Sequence, residues 1–191
     1  MLIGKKICLA PLLQGDAGLI YNWHNTLEVM HLDGIYRPIS QARFDDWFNT
    51  IGKDPTRVVF SIRRRSDMNL VGYVQVANIN GINRCGDVGI MIGDQANRSQ
   101  GYGSEALSLL VGFCWQELNL QRLALMVIGD NPRAVAAYRR AGFEVEGVTR
   151  RAVYTNGAFV NCTLMAILRG EAPLQTGLEA AASQLRDAIR A

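Results

Sequence analysis

The chain has 191 residues, 49% of them hydrophobic, which is enough for one well-cored domain. A formal charge of +3, with Lys and Arg dispersed, leaves no basic stripe for nucleic acid, and no apolar run approaches the length of a bilayer span. Cys8, Cys85, Cys114 and Cys162 lie far apart without C-x-x-C pairs or nearby His, so we expect buried thiols in a reducing, cytoplasmic setting and neither a disulfide framework nor a metal site.

In chain order, Ile7 to Leu13 reads as a short strand, and Asp16 can cap a helix carrying Leu19, Ile20 and Trp23. Pro38 and Ser40 announce a second helix, in which Phe44, Trp47, Phe48 and Ile51 recur at the spacing of one face. Between them, Asn25 to Arg37 reads as a connection rich in polar chemistry. With His24, Glu28, His31, Asp33 and Tyr36 it is a candidate substrate rim, although a surface or packing role fits each histidine singly. Val58 to Arg63, Leu70 to Ile79 and Asp87 to Ile92 are predicted strands of an antiparallel meander. Arg63-Arg64-Arg65, the one basic run, reads as a solvated turn or as an anion patch.

The run Val88 to Ile92 then meets Asn97-Arg-Ser-Gln-Gly-Tyr-Gly-Ser-Glu-Ala106, a glycine-rich loop opening a helix that spans Gly103 to Leu118. Two readings stand for the loop. It is a tight turn, or it is an anion site in which Gly101 and Gly103 let the backbone close on a phosphate, the helix start supplies unpaired N–H groups, and Arg98 adds charge. It is neither G-x-G-x-x-G nor a Walker sequence.

Arg122 to Ile128 is apolar enough for a central strand, which closes a strand-helix-strand crossover. Asn131-Pro132 starts a short helix and Gly142 stops it. Phe143 to Val148 and Phe159 to Leu168 are strands around the hairpin signal Asn156-Gly157, and Thr176 to Glu179 has the capping-box spacing that opens a terminal amphipathic helix. We therefore expect an α+β chain, with one domain over 1–170 and a helix within 171–191 packed on it or on a partner subunit.

Arg98-x-x-Gly101-x-Gly103, followed by the strand from Arg122 and then Asp130-Asn131-Pro132-x-Ala134-x-x-x-Tyr138-x-x-x-Gly142-Phe143, resembles the GNAT superfamily of N-acetyltransferases. Glu146-Gly147-Val148, Arg150, Tyr154 to Gly157 and Leu164-Met165 look like the branch of the ribosomal-protein alanine and spermidine acetyltransferases. The resemblance implies a mixed, mostly antiparallel sheet of about seven strands flanked by helices. It also implies acetyl-CoA as co-substrate, with Arg98, Ser99, Gln100, Gly101, Tyr102, Gly103 and Ser104 at the pyrophosphate, Met91 and Ile92 pairing with the pantetheine arm, and Asn131 touching that arm. Tyr138 matches the family's general acid, since a phenol with a pKa of about 10 keeps its proton at pH 7.

Direct transfer needs a neutral amine, stabilisation of the oxyanion and a proton for the departing thiolate. Asp87 is the first candidate base, because strand alternation puts it on one face with Gly89 and Met91; Glu28, His31 and Asp33 are the alternatives and the candidate substrate contacts. Asn161 stands where relatives commonly carry an aspartate. The expected acceptor is a primary amine, on a protein N-terminus or a small molecule. A polyamine, a nucleotide-linked amino sugar, or a weakly active acyl-CoA-binding regulator are the alternatives. A homodimer is compatible with the sequence but not decided by it.

Overall fold

Residues 1–32 and 37–170 are described by a computed structural model. The strands are β1 (Leu2–Ile3), β2 (Ile7–Ala10), β3 (Val58–Arg64), β4 (Leu70–Asn80), β5 (Cys85–Ile92), β6 (Arg122–Ile128), β7 (Glu144–Thr155) and β8 (Ala158–Leu168). The helices are α1 (Ala17–His24), α2 (Leu27–Leu32), α3 (Gln41–Thr50), α4 (Tyr102–Gln116) and α5 (Pro132–Arg140). The terminal helix expected within 171–191 lies outside the described residues.

The strands form one sheet in the order β1-β2-β3-β4-β5-β6-β8-β7. Every neighbouring pair is antiparallel except β5 and β6, the parallel pair that α4 connects. The eighth strand beyond the expected seven is β1, two residues long and too short for a periodic signal. Pro11 follows directly on β2, so the opening strand stops short of Leu13.

Helix α4 carries Ala106, Leu107, Leu110 and Cys114 fully buried against the sheet, where Val88, Ile90 and Ile92 meet it. Each fully buried Leu is worth roughly 2 kcal/mol relative to exposure. Met91, one position out of phase on β5, instead joins Trp23, Phe44, Phe48 and Tyr73 in a second, aromatic cluster with α1 and α3.

Local signals set most element ends. Ser40 Oγ accepts from Arg43 N at 3.3 Å to cap α3, and Asn131 Oδ1 accepts from Ala134 N at 3.0 Å to cap α5. Gly142, at φ 96°, follows α5, and Asn156 and Gly157, at φ 48° and 78°, make the β7–β8 turn. Asp16 departs from expectation. Its carboxylate accepts from Leu13 N at 2.8 Å and from Arg63 Nη2 at 2.6 Å, and makes no cap bond to α1. Arg63 and Arg64 accordingly belong to β3 and not to a solvated turn, with Arg63 in a nearly buried ion pair.

Candidate active site

Strands β5 and β6 pair only at Cys85 with Arg122, Gly86 with Leu123 and Asp87 with Ala124. Beyond Asp87 the strands part, and β5 continues to pair with β4 alone. Its edge toward β6 therefore presents main-chain N–H and C=O groups without a strand partner, and these are suited to pair with amides of an extended ligand. The gap is a cleft of about 880 Å³ lined by β5 from Val88 to Ile92, by Met126 to Ile128 of β6, by the loop from Asn97, and by α5. Met126 of this central strand is half exposed and lines the gap.

The glycine-rich loop closes one end. A 3-10 turn at Gln95–Asn97 leads into Ser99 at φ 60° and Gly101 at φ 86°, which is the N-cap of α4. Gly101 tolerates that conformation without the Cβ penalty. The first N–H groups of α4 lack intrahelical acceptors by geometry, and the helix dipole adds partial positive charge there. A Cβ on Gly103 would stand 3.8 Å from Ile90 Cδ1 and Ile92 Cγ1, so larger groups there would extend along the cleft wall. Lys6 Nζ donates to Gln100 O at 3.0 Å, while Glu105 of the first turn is held by Lys6 N at 3.0 Å.

Arg98, read from the sequence as a phosphate ligand, lines the cleft with its guanidinium engaged by the protein itself. Its guanidinium donates to Ile92 O at 3.3 Å and Gly93 O at 2.9 Å and pairs with Glu28. The reason is local: the end of β5 leaves two carbonyls beside the loop, and a fork of five donors satisfies both with a carboxylate to spare. Arg133 and Arg140, which the sequence reading passed over, line the cleft together with Arg98, and Arg140 Nε lies 3.3 Å from Ser104 Oγ.

Tyr138 lines the cleft from α5, nearly buried, its ring edge-on to Phe143 at 5.8 Å. Asn131 also lines it, with its carbonyl oxygen spent on the helix cap. Met91, Ile92, Ser99, Gly101, Gly103 and Ser104 line the same space, whereas Gln100 and Tyr102 belong to the loop without lining it.

The other expectations fare unevenly. Asp87 stands where β5 and β6 part, exposed, its Oδ2 accepting from Asn78 Nδ2 at 2.9 Å; it is outside the cleft lining and not brought together with Tyr138. The connection expected from Asn25 to Arg37 contains α2, whose Val29 reaches the cleft while Glu28 turns to Arg98 and His31 stays off the lining. Asp33 lies outside the described residues. Next to α2, Trp23 Nε1 donates to Asp94 at 2.9 Å, and Asn25 Oδ1 accepts from Ile39 N at 2.8 Å. Tyr73 and Gln75 of β4 also line the cleft, and an alternating strand gave no sign of it.

Burial pushes the Cys114 thiol up to about 12, which removes it as a nucleophile at neutral pH. Burial also lowers the pKa of His24, whose Nε2 lies 3.1 Å from Tyr73 Oη. Among the described residues no group of three or more His, Cys, Asp or Glu could hold a metal ion, and no helix is long and apolar enough to cross a membrane.

Residues 6–144 match the family described as acetyltransferase (GNAT) domain. The spermidine N(1)-acetyltransferase of Vibrio cholerae is 25% identical over 171 residues, covering 88% of this chain and 96% of that one. YjcK of Bacillus subtilis, a probable N-acetyltransferase, is 30% identical over 177 residues, covering 88% of this chain and 97% of its own. The crystal structure of the Vibrio cholerae spermidine N-acetyltransferase in complex with CoA and spermine superposes with a TM-score of 0.81 at 25% identity, covering 88% of this chain and 98% of the other. The parted strands, the glycine-rich helix start and the family match together make this chain a member of the GNAT acetyltransferases, an enzyme that moves acetyl from acetyl-CoA to a primary amine.

Proposed function

We propose that the cleft between β5 and β6 is the site of transfer, with the coenzyme entering over the Ser99 to Ser104 loop and the amine arriving from the side of α2. The parting of the strands beyond Asp87 and Ala124 carries this reading, because it leaves the free edge of β5 between the anion-binding helix start and Tyr138. The loop N–H groups hold the pyrophosphate, Met91 and Ile92 offer main chain to the pantetheine amides, and the Asn131 side chain borders the arm. Tyr138 gives its proton to the leaving thiolate. Arg133 and Arg140 add positive charge on the coenzyme side of the cleft.

For the acceptor we favour a single amino group, on a protein N-terminus or a small molecule. Among the described residues no carboxylate lines the cleft, and Glu28 at its rim is already paired with Arg98. A polyamine is the second reading, favoured by similarity along 88% of the chain to a spermidine acetyltransferase. Thiol release from acetyl-CoA across N-terminal peptides, amino acids, amino sugars, monoamines and spermidine tests both. We expect stimulation by a monoamine or peptide. A kcat/KM for spermidine well above every monoamine would establish the second reading, and no stimulation by any amine despite tight coenzyme binding would overturn both.

A further inference from the structure

Gln75 of β4 stands opposite Gly89 of β5, beyond the point at Asp87 where β5 has lost β6 as a neighbour. Both residues line the cleft. A Cβ on Gly89 would fall 3.1 Å from Gln75 Nε2 and 3.4 Å from its Cγ, so the bare glycine leaves the room in which the amide lies. Strand alternation puts Gln75 on one face with Tyr73, which joins Met91 and Val29 in the aromatic cluster of α1 and α3. Tyr138 belongs to the cluster that α4 fills on the other face.

The orientation of the amide is fixed from behind. Gln75 Oε1 accepts from Arg57 Nη1 at 3.1 Å, and Arg57 Nε is paired with Asp54 at 3.5 Å. A guanidinium only donates, so the atom facing it is the oxygen, and the NH2 end turns the other way, towards Gly89. There Nε2 makes no hydrogen bond to a described residue and is not sealed from solvent. An amide held with its oxygen occupied and its donors turned into a cleft calls for an oxygen from a ligand. Val29, Met91 and Met126 around it are apolar, and the Tyr73 hydroxyl is engaged with His24.

Resting on the placement of transfer in this cleft, we propose that Gln75 determines acceptor specificity, its Nε2 donating to a carbonyl oxygen adjoining the acceptor amine. The preferred substrate is then an α-amino carbonyl compound, an amino acid amide or a peptide N-terminus, over an alkylamine or a polyamine. In such a compound two carbon atoms separate nitrogen from oxygen, so one donor that holds the oxygen beside Gly89 also aims the nitrogen along the free edge of β5. Arg57 is the positioning residue that keeps the amide turned, and Asp54 steadies Arg57. The thioester oxygen is the other carbonyl that a donor here would reach. The acceptor's is favoured because Gln75 lies on the face from which Val29 meets the cleft, and not on the face of Tyr138.

The test uses the full chain and two acceptors, alaninamide and sec-butylamine, which share a branched amine-bearing carbon and differ in the carbonyl. Each variant is compared with wild type on the same amine, so the different basicities cancel. Gln75→Leu should lower kcat/KM for alaninamide about tenfold, as for one lost hydrogen bond, and leave sec-butylamine and coenzyme affinity within about twofold. Arg57→Met should lower the alaninamide value about threefold and add nothing in the Gln75→Leu background, a coupling that a merely structural role would not give. An equal fall on both amines assigns Nε2 to the thioester oxygen and overturns the proposal. So does an alaninamide value within twofold of wild type in Gln75→Leu, or a wild-type kcat/KM for spermidine above that for alaninamide. If Gln75→Leu does not fold, the same ratio of the two amines in Arg57→Met decides alone. The placement of transfer is tested apart from these, by coenzyme affinity in Gly103→Val, whose failure to change would remove that placement whatever the acceptors show.

Discussion

The two walls of the cleft are built by different means. The coenzyme side is mostly main chain: the free edge of β5, the turn through Ser99 and Gly101, and the start of α4. The side proposed for the acceptor is mostly side chain: Tyr73 and Val29, with the ring cluster of Trp23, Phe44 and Trp47 behind them, drawn from α1, α2, α3 and β4. A wall of backbone suits what every member of a family shares, in the proposed site a phosphate and two amides. A wall of side chains can be rebuilt one residue at a time, so the choice of amine belongs on that side.

The largest effect that would break this contrast is expected at Tyr138, the side chain on the coenzyme wall that we assign to chemistry. Tyr138→Phe should cut turnover by about a hundredfold with coenzyme affinity nearly unchanged, measured by thiol release and calorimetric titration. Equal turnover in the variant would remove Tyr138 as the acid.

Gly93 tests how tightly the acceptor wall is packed. A Cβ there would fall 2.0 Å from Trp23 Cε2, inside the indole that Asp94 holds. Gly93→Ala should therefore cost about 1–3 kcal/mol of stability, read as a lowered denaturant midpoint with unchanged slope. A midpoint at the wild-type value would mean that the aromatic cluster yields more easily than its packing suggests.

Gly103→Val sharpens the backbone side. Its branches would extend from a position already 3.8 Å from Ile90 and Ile92, and coenzyme affinity should fall by about tenfold, or about 1.4 kcal/mol, with the fold intact. Unchanged affinity would move the pyrophosphate elsewhere.

The smallest expected effect is the pH dependence carried by His24. Its folded pKa is lowered by burial, so the unfolded chain binds the extra proton; this contribution to stability is full above the ordinary value near 6.5 and is lost as pH falls through and below it. His24→Gln should flatten the decline in melting temperature between about pH 7.5 and 5.5. A slope as steep as that of the wild type would assign the decline to other groups.

The coenzyme wall was legible in the sequence because its signals are local. Asn131-Pro132 and Gly142 bound α5 where the cap and stop residues stand, and the run Asn97 to Ala106 joins strand to helix as read. Arg98 shows what such reading leaves out: its charge suits a phosphate, and its bonds to two strand-end carbonyls and Glu28 come from segments that sequence spacing does not bring together. Helix α2 escaped notice because six residues are too few to display a period. Tyr73 escaped because an aromatic in an apolar strand reads as core; only its register with Met91 and its bond to His24, 49 positions away, set it apart.

Seen mechanically, the sheet is two plates, β1 to β5 and β6 to β8, joined within the sheet by three residue pairs between Cys85–Asp87 and Arg122–Ala124. The cleft is the angle that opens beyond that short seam. The width of the gap between Tyr138 and the loop therefore depends on where the three-pair seam stops, at Asp87 and Ala124, and not on the residues that line it.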